Sequence, residues 1–86
     1  MTDVTVFLWT LSTCPWCRKT KQWFTAKGVE FEFVDVDLLS DREYDEVVSR
    51  VSELAGARSF PVVKIGDRVI VGYAPQKYAA ALGIDP

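Results

Sequence analysis

The run Val4-Thr5-Val6-Phe7-Leu8-Trp9 constrains this chain more than any other stretch of it. Its residues are β-branched, aromatic or aliphatic with little polarity, so it reads as a strand covered on both faces, at the centre of a sheet. Such a strand needs a helix to cover it, and the chain supplies one at once. After the polar break Thr10-Leu11-Ser12-Thr13, residues 15–27 carry long side chains suited to a helix, with Trp16, Thr20, Trp23 and Phe24 recurring at three- and four-residue intervals. Gly28 ends that helix. Residues 29–36 then alternate around Phe31 and Phe33 and form a second strand whose glutamates face water. Two strands separated by a helical crossover lie parallel and join in the right-handed sense.

The second half repeats the logic with different parts. Tyr44, Val47, Val48, Val51, Leu54 and Ala55 make an apolar stripe that predicts a helix over 41–55, capped by Ser40 or Asp41. Its early acidic residues suit the positive end of a helix. Residues 61–65 and 68–71 flank Gly66-Asp67 as an antiparallel hairpin. Gly72 releases the last strand, and Pro75 begins a final helix with Tyr78, Ala79 and Leu82 on one side, ended by Gly83 and Pro86. The order β-α-β-α-β-β-α describes an α/β fold with a four-stranded mixed sheet flanked by helices. One domain over 1–86 is expected, because a chain of this length buries only roughly 60–65% of its extended surface and builds one core.

Composition removes several function classes. Ten basic residues stand against twelve acidic ones, a formal net charge of -2, without the positive balance of a general nucleic-acid binder. No apolar run approaches the roughly 18 residues needed to cross a bilayer, and the start MTDVTVFLWT lacks a basic leader, so a cytoplasmic protein off the membrane is expected. Histidine is absent. That removes imidazole base catalysis, a cysteine–histidine couple and every histidine-containing zinc pattern. The two cysteines, Cys14 and Cys17, fall short of a four-ligand site, so no metal is expected unless a second chain supplies more ligands.

What the cysteines permit follows from where they sit. Thr13-Cys14-Pro15-Trp16-Cys17 lies where the first strand meets its helix, so Cys14 occupies the cap and its sulfur meets unpaired amides that favour a thiolate. Pro15 takes the first helical turn without losing a needed donor. Cys17, on the same turn, can attack a mixed disulfide formed through Cys14 and finish the exchange within the molecule. The other readings are a structural disulfide or two inert core thiols, but so short a loop yields little cross-linking entropy.

Pro61 is unsuited to the middle of a central strand. At its beginning it exposes neighbouring backbone groups, and a cis Phe60-Pro61 bond would turn them toward the cysteines, an ordinary trans bond being the alternative. Backbone around Phe60 and Val62 can pair with a peptide substrate, and Arg58 or a helix terminus can hold a carboxylate. Trp16 offers an apolar contact to a disulfide substrate, while Trp23 and Phe24 pack inward. Arg18, Lys19 and Lys21 either favour a thiolate and an acidic partner or form a solvated helix face.

Cys14-Pro15-Trp16-Cys17 after a strand, Ser59-Phe60-Pro61 before a hairpin and Gly72-Tyr73-Ala74-Pro75 before the last helix together resemble the glutaredoxin family of the thioredoxin superfamily, in its compact dithiol form. The likeness spans nearly the whole chain. It implies a minimal thioredoxin-like fold and a monomeric thiol-disulfide oxidoreductase that reduces protein or mixed disulfides. It further implies Cys14 as the exposed nucleophile, Cys17 as the resolving thiol and Pro61 as a cis proline beside a substrate groove that Tyr73 also meets.

Typical glutaredoxins bind glutathione through a basic residue just before the redox motif, a Thr-Val-Pro segment and a later Gly-Gly segment. Here Thr10 to Thr13 contain no Lys or Arg, Ser59-Phe60 precedes Pro61, and Gly72-Tyr73-Ala74-Pro75-Gln76 is closer to the small redoxins that donate electrons to ribonucleotide reductase. The resemblance therefore implies no bound cofactor and two candidate reductants, glutathione as cosubstrate or a thioredoxin-reductase-type flavoprotein. A non-catalytic or iron–sulfur-carrying module is the third reading, and its specialised single-cysteine form matches poorly because Cys17 is present.

Overall fold

The chain's elements follow in the order β1 (Val6–Thr10), α1 (Pro15–Ala26), β2 (Glu32–Asp35), α2 (Asp41–Ala55), β3 (Val62–Ile65), β4 (Arg68–Val71) and α3 (Pro75–Leu82). A computed structural model describes residues 4–56 and 59–85. The sheet order is β2-β1-β3-β4, which places β1 and β3 at its centre. β1 runs parallel to β2, with Phe7 opposite Glu32 and Thr10 opposite Asp35, and antiparallel to β3. β3 and β4 form the expected hairpin. The architecture is the thioredoxin-like α/β fold, and no helix among the described residues is long and apolar enough to cross a membrane.

Side chains alternate across β1, so Val6 and Leu8 point to one face while Phe7 and Trp9 point to the other. Val6, Leu8, Val63, Ile65 and Ile70 from the sheet close over Phe24 of α1 and over Tyr78 and Leu82 of α3. Phe24 is the hub, in ring contact with Trp23, Phe31 and Tyr78. Burying its ring contributes about 2–3 kcal/mol from area alone. Val36, Val48, Val51 and Val62 are buried in a second layer, where α2 lies against β4.

Several details differ from the expectations. β1 begins at Val6 rather than Val4, and it is not covered equally, because Phe7 and Trp9 remain half-buried. β2 is shorter than 29–36, because the amide of Val29 is already used. Val29 N–H donates to Phe24 O and Gly28 N–H to Thr25 O, a Schellman end for α1 that requires Gly28 at φ +69°. Phe31 consequently leaves the sheet for the core. Phe33 sits on the edge strand with 48% of its surface exposed, beneath the Lys21 ammonium 4.0 Å from its ring centre. After Asp35 the chain tightens into a 3-10 turn over Val36–Leu38. The α2 stripe holds at Val48 and Val51, but Leu54 is 51% exposed. The α2 cap is complete: Ser40 accepts from the Glu43 amide while the Glu43 side chain reaches back to Ser40.

Candidate active site

β1 ends at Thr10, and the loop after it delivers Cys14 to the N-cap of α1 in extended conformation, with Pro15 at the first helical position. Cys14 Sγ accepts from the Cys17 amide at 3.3 Å. The sulfur thus takes the place of a capping acceptor before the unpaired amides of the first turn. Cys14 is half-buried, Cys17 has no exposed surface, and both thiols are free. Burial pushes the Cys17 thiol up to about 12, and its hydrogen bond with Cys14 adds to the effect. Two groups oppose the rise: the Leu11 amide, which donates to Cys17 Sγ at 3.4 Å, and the Lys21 ammonium one helical turn further on.

The Phe60-Pro61 bond is cis. Pro61 is fully buried at the head of β3, and its carbonyl accepts from the Gly72 amide at 2.7 Å, in a turn where Gly72 holds φ +87°. A groove of about 260 Å³ runs between Trp16, Phe60, Pro61, Gly72 and Tyr73. Trp16 is 54% exposed and leans on Tyr73, ring centres 5.7 Å apart, with Lys19 Nζ 4.7 Å from the indole. Behind this wall the buried Tyr78 hydroxyl donates to the Gly72 carbonyl. Val62 lies at the start of β3 with its side chain wholly buried, paired with Trp9 and Val71 rather than lining the groove. Arg58 lies outside the described residues. A wider concavity of about 860 Å³, lined by Val4, Thr25, Val29 and Glu32 among others, contains neither cysteine.

One part of the neighbourhood, Asp35 and Asp37, lies outside the residues that the sequence expectations name. Thr10 Oγ1 donates to Asp35 Oδ1 at 2.5 Å, and Lys21 Nζ meets the same oxygen at 2.9 Å. Ser12 donates its amide to Asp37 Oδ1 at 2.8 Å and its hydroxyl to Asp37 Oδ2. Those bonds hold the Asp37 carboxyl below its ordinary range. The signal was present: polar residues two apart, Thr10 and Ser12, face acids two apart, Asp35 and Asp37, on strands that pair in parallel.

A thioredoxin-like sheet with a cysteine pair at the start of the first helix defines a thiol-disulfide oxidoreductase site, suited to a dithiol redox mechanism. Comparison with known proteins narrows the class. The glutaredoxin family matches residues 4–70. A glutaredoxin-like 8.6 kDa protein in the rubredoxin operon of Clostridium pasteurianum is 35% identical over 66 residues, 77% of this chain and 81% of that one. The glutaredoxin-like protein NrdH of Salmonella typhimurium is 32% identical over 72 residues, 84% of this chain and 82% of that one. The crystal structure of Methanosarcina acetivorans methanoredoxin superposes with a TM-score of 0.86 at 40% identity, covering 93% of this chain and 85% of that one. The chain belongs to the glutaredoxin family and carries that family's redox-active cysteine centre.

Proposed function

We propose that the protein reduces protein disulfides by a dithiol cycle in which Cys14 attacks and Cys17 resolves. The asymmetry of the two sulfurs carries this reading: Cys14 is accessible at the helix cap, whereas Cys17 has no exposed surface. In the first step the Cys14 thiolate bonds to one substrate sulfur, the substrate S–S bond breaks, and the other sulfur leaves and takes up a proton. In the second, Cys17 gives up its proton, bonds to the Cys14 sulfur and expels the remaining substrate sulfur, which is protonated in turn. Two electrons have passed to the substrate, and a Cys14–Cys17 disulfide is left. Trp16, Phe60, Pro61 and Tyr73 steady the substrate segment through apolar contact along the groove.

Restoring the dithiol needs a two-electron reductant. Among the described residues the groove is lined by aromatic side chains, Pro61 and Gly72, which favours a thioredoxin-reductase-type flavoprotein, whereas glutathione brings two carboxylates that call for charged donors. Turnover of a protein disulfide and of a glutathionylated peptide, each supplied either with glutathione and its reductase or with a thioredoxin-reductase system, separates the two. Faster turnover with the flavoprotein system is expected, and turnover with glutathione alone overturns that choice. Cys14→Ser abolishes exchange in every combination, and Cys17→Ser forms a mixed disulfide that it does not resolve. A reactive Cys14→Ser protein beside an inert Cys17→Ser protein refutes the assignment of the nucleophile.

A further inference from the structure

We infer that Asp37, together with Asp35, is a positioning residue for the second half of the exchange: the two carboxylates pin Ser12 and Thr10 so that the Leu11 amide between them stays aimed at the Cys17 sulfur. The inference rests on Cys17 being the resolving thiol. Its geometry is a three-residue strap gripped at both ends. Thr10 is bound to Asp35, Ser12 is bound to both oxygens of Asp37, and Leu11 N–H donates to Cys17 Sγ at 3.4 Å. Thr10 and Asp35 are the last residues paired in the parallel ladder, and beyond them the Asp37 carboxylate holds the strap through the amide and hydroxyl of Ser12.

The second step is where such a strap matters. Cys17 must lose its proton before it can attack, and a sulfur without exposed surface has no water to solvate the charge. Among the described residues, Leu11 supplies the hydrogen bond that this sulfur accepts. Lys21 adds positive charge from one turn along α1, and Asp35 orients it. The balance of the step is unchanged: the Cys17 proton leaves, the Cys17–Cys14 bond forms, the bond from Cys14 to the substrate breaks, and the departing sulfur is protonated. The amide acts again in reverse, when a reductant opens the disulfide and Cys17 departs as the thiolate. The Cys14 amide donates to the Leu11 carbonyl at 3.2 Å, but the donor to the Cys14 sulfur is the Cys17 amide inside α1, so the charge on Cys14 depends on the strap less.

Asp37 provides the cleaner test, since it is exposed and among the described residues forms no ion pair, while Asp35 also serves Lys21. The two steps are timed separately in single turnovers of the full chain. The first is formation of the Cys14 mixed disulfide in a Cys17→Ser background, and the second is release of a chromogenic aromatic thiol from a mixed disulfide prepared on Cys14 with Cys17 present. Asp37→Ala is expected to slow the second step about tenfold, the weight of one hydrogen bond to a charged group, and to leave the first within about twofold. The rate of the second step should also go on rising to higher pH than in the unsubstituted protein. Asp37→Asn keeps an acceptor for the Ser12 amide and should recover part of the loss. Ser12→Ala, which removes only the hydroxyl arm, provides the same comparison if Asp37→Ala does not fold. Equal slowing of both steps, or an unaltered second step, overturns the inference. A wrong assignment of Cys17 shows itself earlier, because the protein with Asp37 intact then fails to release the thiol.

Discussion

Raising the pH of the reduced protein from about 8 to about 11 tests the burial of Cys17 directly. In the fold this thiol is pushed up to about 12 from an ordinary 9.0, first by loss of solvent and then by its hydrogen bond with Cys14. In the unfolded chain it ionises near its ordinary value. The folded state therefore favours the protonated form. Stability is complete below about pH 9, falls as pH rises through the window between the two values, and stops falling above about 12. Each pH unit inside the window costs about 1.4 kcal/mol, so by pH 11 the loss is about 3 kcal/mol, a large share of the roughly 5–15 kcal/mol that holds a domain folded. Urea unfolding followed by tryptophan fluorescence would be run across this range on the reduced protein and on Cys17→Ala under the same excess of reductant. Lysine ionisations are common to both, Tyr78 feels Cys17 only as the least of its influences, and the packing cost of the substitution is constant with pH. The stability gap between the two should close by about 3 kcal/mol as pH rises to 11. A gap that stays constant across that range refutes the claim that burial keeps Cys17 protonated. The oxidised protein, with its sulfurs joined, should show none of this loss.

Two further substitutions test how the groove and the second layer are supported. Tyr78→Phe removes the buried hydroxyl that donates to the Gly72 carbonyl. It should cost about 1–2 kcal/mol in urea unfolding, and loosening of the Tyr73 wall should raise KM for a protein disulfide more than it lowers kcat. Ser40→Ala removes the reciprocal cap of α2. A loss of about 1 kcal/mol is expected, seen as a fall in Tm of about 4–8 °C, with both exchange steps unaffected because the cysteines belong to α1 and its cap.

Local chemistry made much of the fold legible in the sequence. Cys14 with Pro15 marked the start of α1, Ser40 or Asp41 that of α2, and the stripe of Tyr78, Ala79 and Leu82 the buried side of α3, all without knowledge of any contact between distant residues. What escaped depends on such contacts. Phe33 has the alternation of a buried strand residue, yet its strand lies at the edge of the sheet, and strand order cannot be read from alternation. Val29 has the β-branched character of a strand, but its amide was taken by the end of α1. The cysteine pair was evident from spacing alone. The aspartates that hold the loop before it emerge only once Thr10 is known to stand opposite Asp35.

The absence of histidine gives that loop its weight. A resolving thiol beside an imidazole can pass its proton to a base, whereas in the proposed cycle Cys17 reaches the charged state through its own ionisation in a site that excludes water. The remedies left to the fold are fixed dipoles and a nearby cation, and both are present: the Leu11 amide and the Lys21 ammonium are the two influences that draw the Cys17 thiol back down. Neither works unless held in place, since an amide in a free loop turns to water and a lysine on a helix face swings into solvent. Asp35 and Asp37 hold them, one gripping Thr10 and Lys21, the other Ser12. The electrostatics of this site thus come from a backbone amide just beyond the β1–β2 ladder, held by the two carboxylates at the end of β2 and just after it.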